Sequence, residues 1–213
     1  MSSINPMSPM SPIIKVCGMR QAENIRAVEE QARPDLMGFI FWEHSPRYVG
    51  QVPAYLPSCQ RVGVFVGEDI DVVLRKADEF ALDFIQLHGN ESPEYVRRLQ
   101  GRKVIKAFSI ASAADLEQTR DYEDLAHCFL FDTKGRSAGG NGKKFDWSIL
   151  SAYHGRTPFM LSGGIGPDDA EQLSRWHHDK CLGFDINSRF ELQPGIKDAA
   201  AVARFAEKIR KQP

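Results

Sequence analysis

Apolar positions along this chain alternate between two rhythms. Short runs rich in β-branched and aromatic residues recur eight times, as "IIKVC", "LMGFIFW", "RVGVFV", "LDFIQLH", "KVIKAF", "HCFLFD", "TPFML" and "CLGFDI". Each is the length of a buried strand. Between most of them lie segments whose apolar residues return every three or four positions, among them "AENIRAVEEQA", "DIDVVLRKADEFA", "SPEYVRRLQ", "PDDAEQLSRW" and "KDAAAVARFAEKIRKQ". That spacing predicts amphipathic helices. Start signals agree, because Ser92-Pro93 and Gly166-Pro167-Asp168 put proline at or near a first helical position with acids in the opening turn. The stretch after the second strand, "EHSPRYVGQVPAYLPSCQ", carries three prolines and leaves room only for a short or irregular helix.

Eight strand, loop and helix units fit a single (β/α)8 TIM barrel, at about 25 residues per unit from Ile13 onward. An open doubly wound sheet alternates in the same way but commonly uses five or six strands, so eight favours closure. The leader "MSSINPMSPMSP" has no basic start and no continuous apolar stretch, and reads as a flexible tail. The expected organisation is therefore a leader over residues 1–12 and one barrel domain over 13–213.

Composition narrows the partners. The chain has 213 residues, 42% hydrophobic and 26% charged, and a formal net charge of −1 with its 27 basic residues scattered. No broad positive field is available for nucleic acid or an anionic membrane surface. No apolar run approaches the roughly 18 residues of a membrane helix. The four cysteines, at 17, 59, 128 and 181, form no C-x-x-C pair and no zinc-type spacing, which points to reduced thiols in a cytoplasmic protein.

Barrel enzymes work at the C-terminal ends of their strands, and here those ends are polar. Cys17 ends the first strand. A thiol there is either inert packing or a base, since its ordinary pKa of about 8.5 needs only a modest reduction by nearby N–H dipoles or a cation. Arg20 is the candidate cation. Asp132 ends the sixth strand at the edge of an apolar interior, where desolvation would favour its proton-donating form. One base and one acid suffice for an isomerisation.

Arg47, in "SPRYV", has the fork geometry for a carboxylate or for a surface ion pair. His88, in "QLHG", can donate to a ligand, orient a catalytic group, or bond to loop backbone. Ser162-Gly163-Gly164 opens the loop after strand seven, the usual phosphate site of such barrels. Asn187 and Ser188 would complete that cup or cap a turn. The Gly-rich "GRSAGGNGKK" over 135–144 reads as a lid or as a plain solvated loop. His177, His178 and Cys181 lie at the wrong end of the barrel for chemistry, and no metal is expected.

These stretches, read in order, resemble phosphoribosylanthranilate isomerases. The likeness runs from Ile14 to about Phe205 through "KVCGM", "GFIFWEHSPRYV", "VGVFV", "IQLHG", "VIKAF", "FDTK", "GNGKKFDW", "LSGGI" and "DINSRFELQPGIKD". It implies an Amadori rearrangement of N-(5′-phosphoribosyl)anthranilate, in which Asp132 protonates the furanose oxygen and Cys17 removes the C2′ proton. It further implies that Arg47 holds the anthranilate carboxylate and that Gly163, Gly164, Asn187 and Ser188 hold the phosphate. Asp185 would meet the substrate near its bridging nitrogen, with His88 alongside. No cofactor is implied, because the substrate nitrogen supplies the electron push; the partner is a small phosphosugar, acted on by a monomer or homodimer.

One departure is local. "DINSRFE" replaces a stretch resembling D-V-S-S-G-V-E, so Arg189 stands where the family has glycine, either as an added phosphate cation or facing solvent. Two other readings share the same loops: a different phosphosugar isomerase or epimerase, which should lack an Arg47 directed at anthranilate, and a phosphate-binding barrel without catalysis, which should lack the pair Cys17 and Asp132.

Overall fold

The computed structural model describes residues 11–133 and 147–211. The leader lies almost wholly outside these residues, and the Gly-rich stretch 135–144 lies outside them entirely. All eight expected runs form strands: β1 (Ile13–Val16), β2 (Leu36–Ile40), β3 (Gln60–Phe65), β4 (Phe84–Leu87), β5 (Lys103–Ile110), β6 (Cys128–Thr133), β7 (Phe159–Ser162) and β8 (Cys181–Ile186). They pair in chain order, all parallel, and β8 returns to β1 to close the barrel.

The connections divide by sequence. Full turns of α-helix form at α1 (Ala22–Ala32), α2 (Ile70–Glu79), α3 (Pro93–Arg98), α4 (Ala170–Arg175) and α5 (Ala199–Arg210). The start signal at Ser92-Pro93 holds, Ser92 accepting from Tyr95 N, while that at Gly166-Pro167-Asp168 opens a 3₁₀ turn ahead of α4; Asp198 also caps α5, accepting from Ala201 N. Residues 113–122 and 147–152 wind instead as 3₁₀ helices. The proline-rich segment 41–59 contains no helix; it pairs with β2 through an isolated bridge between Ile40 and Tyr48 and is held by side chains, among them Glu29 accepting from Ser58 N. After β8 the chain makes a small antiparallel hairpin, β9 (Glu191–Gln193) with β10 (Ile196–Lys197), which the hydrophobic pattern did not indicate.

Two apolar layers hold this arrangement. Ile14, Val16, Phe39, Phe129, Phe131 and Phe205 belong to the large layer between the sheet and its surrounding helices. Leu36, Val62, Phe84, Ile105, Leu130 and Met160 fill a smaller one, with Cys128, inside the barrel. Strand alternation sends Ile14 and Val16 outward and leaves Lys15 and Cys17 pointing in. The interior thus changes from apolar to polar toward the strands' C-terminal ends.

Candidate active site

At that end a cleft of about 210 Å³ opens, lined by residues from strand ends far apart in the chain. Cys17, His88 and Asp132 line it, as do Gly163, Gly164, Asp185, Asn187 and Ser188. A larger cleft, of about 410 Å³, lies among Glu123, Tyr153 and Arg156, which precede β6 and β7 at the opposite end. It gathers no comparable set of strand-end groups. Among the described residues no cluster of three or more His, Cys, Asp or Glu side chains is arranged to hold a metal.

Cys17 extends the edge of β1, its N–H donating to Ile186 O at 2.9 Å. The thiol is buried, 4% exposed, against β2, where a Cβ on Gly38 would come within 2.8 Å of its sulfur. Only glycine leaves that space. Burial pushes the Cys17 thiol up, opposed chiefly by the charge of Lys15 and then by Lys197. This corrects two expectations. The thiol is not lowered, because it sits in protein rather than at a hydrated turn, and Arg20 is not its cation: Arg20 Nη1 donates outward to Pro46 O at 2.9 Å.

Lys15 was missed. It is fully buried, and the register sets it opposite Asp185, where its ammonium donates to Asp185 Oδ1 at 2.8 Å. The opposed charge lifts Lys15 above its ordinary value despite the desolvation cost, so it stays an ammonium. A signal existed: a lysine two positions before Cys17, inside an otherwise apolar strand, shares its face. Asp185 Oδ2 remains toward Ser162 Oγ at 3.4 Å, within the cleft.

Across the mouth, Gln86 and His88 project from the end of β4. The Gln86 side-chain amide donates to His88 Nδ1 at 2.9 Å, which leaves the ring proton on Nε2, 3.4 Å from Asp132 Oδ2. Asp132 is 29% exposed. It sits at the partly wet rim where β6 ends. Beside it, Gly163 and Gly164 follow β7 with φ of 95° and 66°, a turn that side chains rarely adopt. Asn187 turns its carbonyl oxygen to Lys197 Nζ at 2.7 Å, so only its amide nitrogen and the adjacent backbone remain for a ligand.

Arg47 has a protein partner where a ligand was expected. Its Nε and Nη2 meet the two Glu191 oxygens at 2.8 and 2.6 Å, and it is not among the residues lining the cleft. Glu191 also accepts from Lys197 Nζ at 2.5 Å and Gly195 N at 2.9 Å, and these donors hold it down to about 2 despite burial. Nothing in residue spacing announced this, since the hairpin that carries Glu191 and Lys197 meets Arg47 only in three dimensions. Arg189 lies in a 3₁₀ turn, Ser188–Phe190, so no positive φ is asked of it. Its guanidinium lies over Gly166, where a Cβ would meet it at 3.1–3.3 Å.

Fold and cleft together define a (β/α)8-barrel enzyme working at the mouth of its strands. A family model for N-(5′-phosphoribosyl)anthranilate isomerase matches residues 14–208, and the chain belongs to that family, isomerases of tryptophan biosynthesis that carry out an Amadori rearrangement. The N-(5′-phosphoribosyl)anthranilate isomerase of Phocaeicola vulgatus is 51% identical over 94% of this chain and 98% of its own. That of Rhizobium leguminosarum bv. trifolii is 39% identical over 94% and 95%. The crystal structure of the Thermotoga maritima enzyme superposes with a TM-score of 0.77 at 29% identity, covering 93% of this chain and 98% of that one. A further phosphoribosylanthranilate isomerase structure, holding reduced 1-(o-carboxyphenylamino)-1-deoxyribulose 5-phosphate, superposes at 0.75 with 27% identity over 93% and 98%.

Proposed function

We propose that this chain converts N-(5′-phosphoribosyl)anthranilate to 1-(2-carboxyphenylamino)-1-deoxyribulose 5-phosphate with Asp132 as general acid and Cys17 as general base. The observation that carries the assignment is that both groups line one cleft, from strands β6 and β1, beside a positive-φ glycine turn. Asp132 gives its proton to the furanose oxygen as the anilino nitrogen pushes the ring open. Cys17 then takes the C2′ proton from the iminium, and the enolamine tautomerises to the ketone. His88 aims the Asp132 carboxyl through its Nε2–H.

Binding follows from the remaining groups. The phosphate sits on backbone N–H groups around Gly163, Gly164 and Ser188, with the Asn187 amide nitrogen beside them. Asp185 meets the bridging nitrogen through the oxygen that Lys15 does not hold. The anthranilate carboxylate takes the Arg47 fork by exchanging with Glu191, a group of the same shape and charge. Glu191 then keeps Lys197 and the Gly195 N–H, so the exchange leaves no carboxylate bare.

The test is turnover of freshly made substrate, followed by loss of its fluorescence. Wild type should turn over, and Cys17→Ser and Asp132→Asn should each lose at least about 10²-fold in kcat. No turnover by folded wild type would sink the assignment. Because burial lifts the thiol, kcat/KM should go on rising with pH through the neutral range as Cys17 deprotonates, with no plateau there. We further assign the work to one barrel domain, as a monomer or homodimer in the cytoplasm, whose reducing conditions suit unpaired thiols.

A further inference from the structure

Around the Cys17 sulfur, charge is arranged rather than scattered. Lys15 precedes Cys17 by two residues on the same inward face of β1, its ammonium held by Asp185 Oδ1 at 2.8 Å, and its charge favours the thiolate. Asp185 faces it from β8, Lys197 from β10, and Arg47 from the loop after β2, while β2 itself offers only the backbone of Gly38. Glu191 binds Arg47 and Lys197, and His88 and Asp132 lie across the same cleft. Lys15, Lys197 and Arg47 are three cations against two carboxylates, Asp185 and Glu191. A thiolate on Cys17 cancels the excess.

Lys15 itself is fully buried and does not line the cleft, so it is positioned to act on the sulfur and not on a ligand.

We propose that Lys15 is a positioning residue of the isomerase reaction, its buried ammonium holding the Cys17 sulfur as the proton-accepting anion while Asp185 fixes the ammonium. In the step it serves, the C2′–H bond breaks, the S–H bond forms, and the C–H electron pair moves toward the iminium nitrogen to give the enolamine. Lys15 keeps all its protons throughout. The inference rests on the reading of Cys17 as base.

The experiment titrates Cys17 directly, as thiolate absorbance near 240 nm in each protein minus its Cys17→Ser counterpart, with no substrate present. Lys15→Met should move this titration to higher pH and move the acid limb of kcat/KM with it. At pH about 7.5, kcat should fall at least about tenfold while KM stays within about twofold. Lys15→Met leaves Asp185 buried without its partner, so Lys15→Met/Asp185→Asn provides a neutral pair for the thiol titration should the single variant fail to fold. Its shift should have the same sign and be smaller, because Asp185 opposes Lys15 at the sulfur. Coincident titrations in wild type and variants would overturn the proposal and leave Lys15 with Asp185 as a structural ion pair. Absent turnover by wild type is a separate failure, that of the isomerase reading, and the substrate-free titration distinguishes the two.

Discussion

A single carboxylate, Glu191, is where charge at the mouth of this barrel is balanced. Its side chain is 5% exposed and accepts from Arg47, Lys197 and Gly195. These donors hold it at about 2, below the ordinary glutamate value of about 4.5, so the stability it contributes is present above about pH 4.5 and is lost as pH falls toward 2. Glu191→Gln should therefore lower stability by about 1–3 kcal/mol at neutral pH, with the gap to wild type closing in acid. Urea unfolding at a series of pH values reads both. Arg189 poses a different question at the same scale. With its guanidinium over Gly166 at the glycine loop, Arg189→Ala should raise KM several-fold and leave kcat nearly unchanged. A large fall in kcat at constant KM would rule out a phosphate-binding role.

Between elements, the spacing of β1 and β2 sets the base. Gly38 on β2 gives Cys17 its room, and an added methyl would come within 2.8 Å of the sulfur and 3.1 Å of the Cys17 backbone. Gly38→Ala should cost about 1–3 kcal/mol and move the thiol off its line, with kcat falling more than KM changes. Unaltered kinetics in a folded variant would show that Cys17 tolerates displacement. The connections show how far local sequence reaches. Helices with a cap and a clean apolar stripe, such as α2 and α5, form where the pattern predicts them, whereas prolines at 46, 53 and 57 leave segment 41–59 without one. Hairpin β9–β10 carries too few apolar residues to announce itself, and it delivers two of the site's charges.

The whole molecule depends on closing the circle. α5 packs against both α1 and α4, and Arg210 reaches back to Ala32 O, Arg33 O and Asp35. Phe205 on α5 is 2% exposed and stacks edge-on against Phe190, beside the turn that carries Ser188. Phe205→Ala should cost about 3–5 kcal/mol by urea denaturation. With one domain, near- and far-ultraviolet circular dichroism should lose signal together. Separate transitions would divide residues 13–213 into more than one unit.

Periodicity is local, and it determined what local interactions govern: eight strands, the capped helices, the irregular second connection, and the strand ends where Cys17, His88, Asp132 and the glycine turn emerge. The polar ends were legible because each interrupts an apolar run. Tertiary structure alone decided which charges meet. β8 pairing with β1 sets Asp185 opposite Lys15, a hairpin far downstream supplies Glu191 to Arg47 with Lys197 on the same carboxylate, and burial lifts the thiol that an exposed turn would have left lower. Charge and desolvation act through space between groups distant in sequence, and barrel closure is what brings those groups within reach.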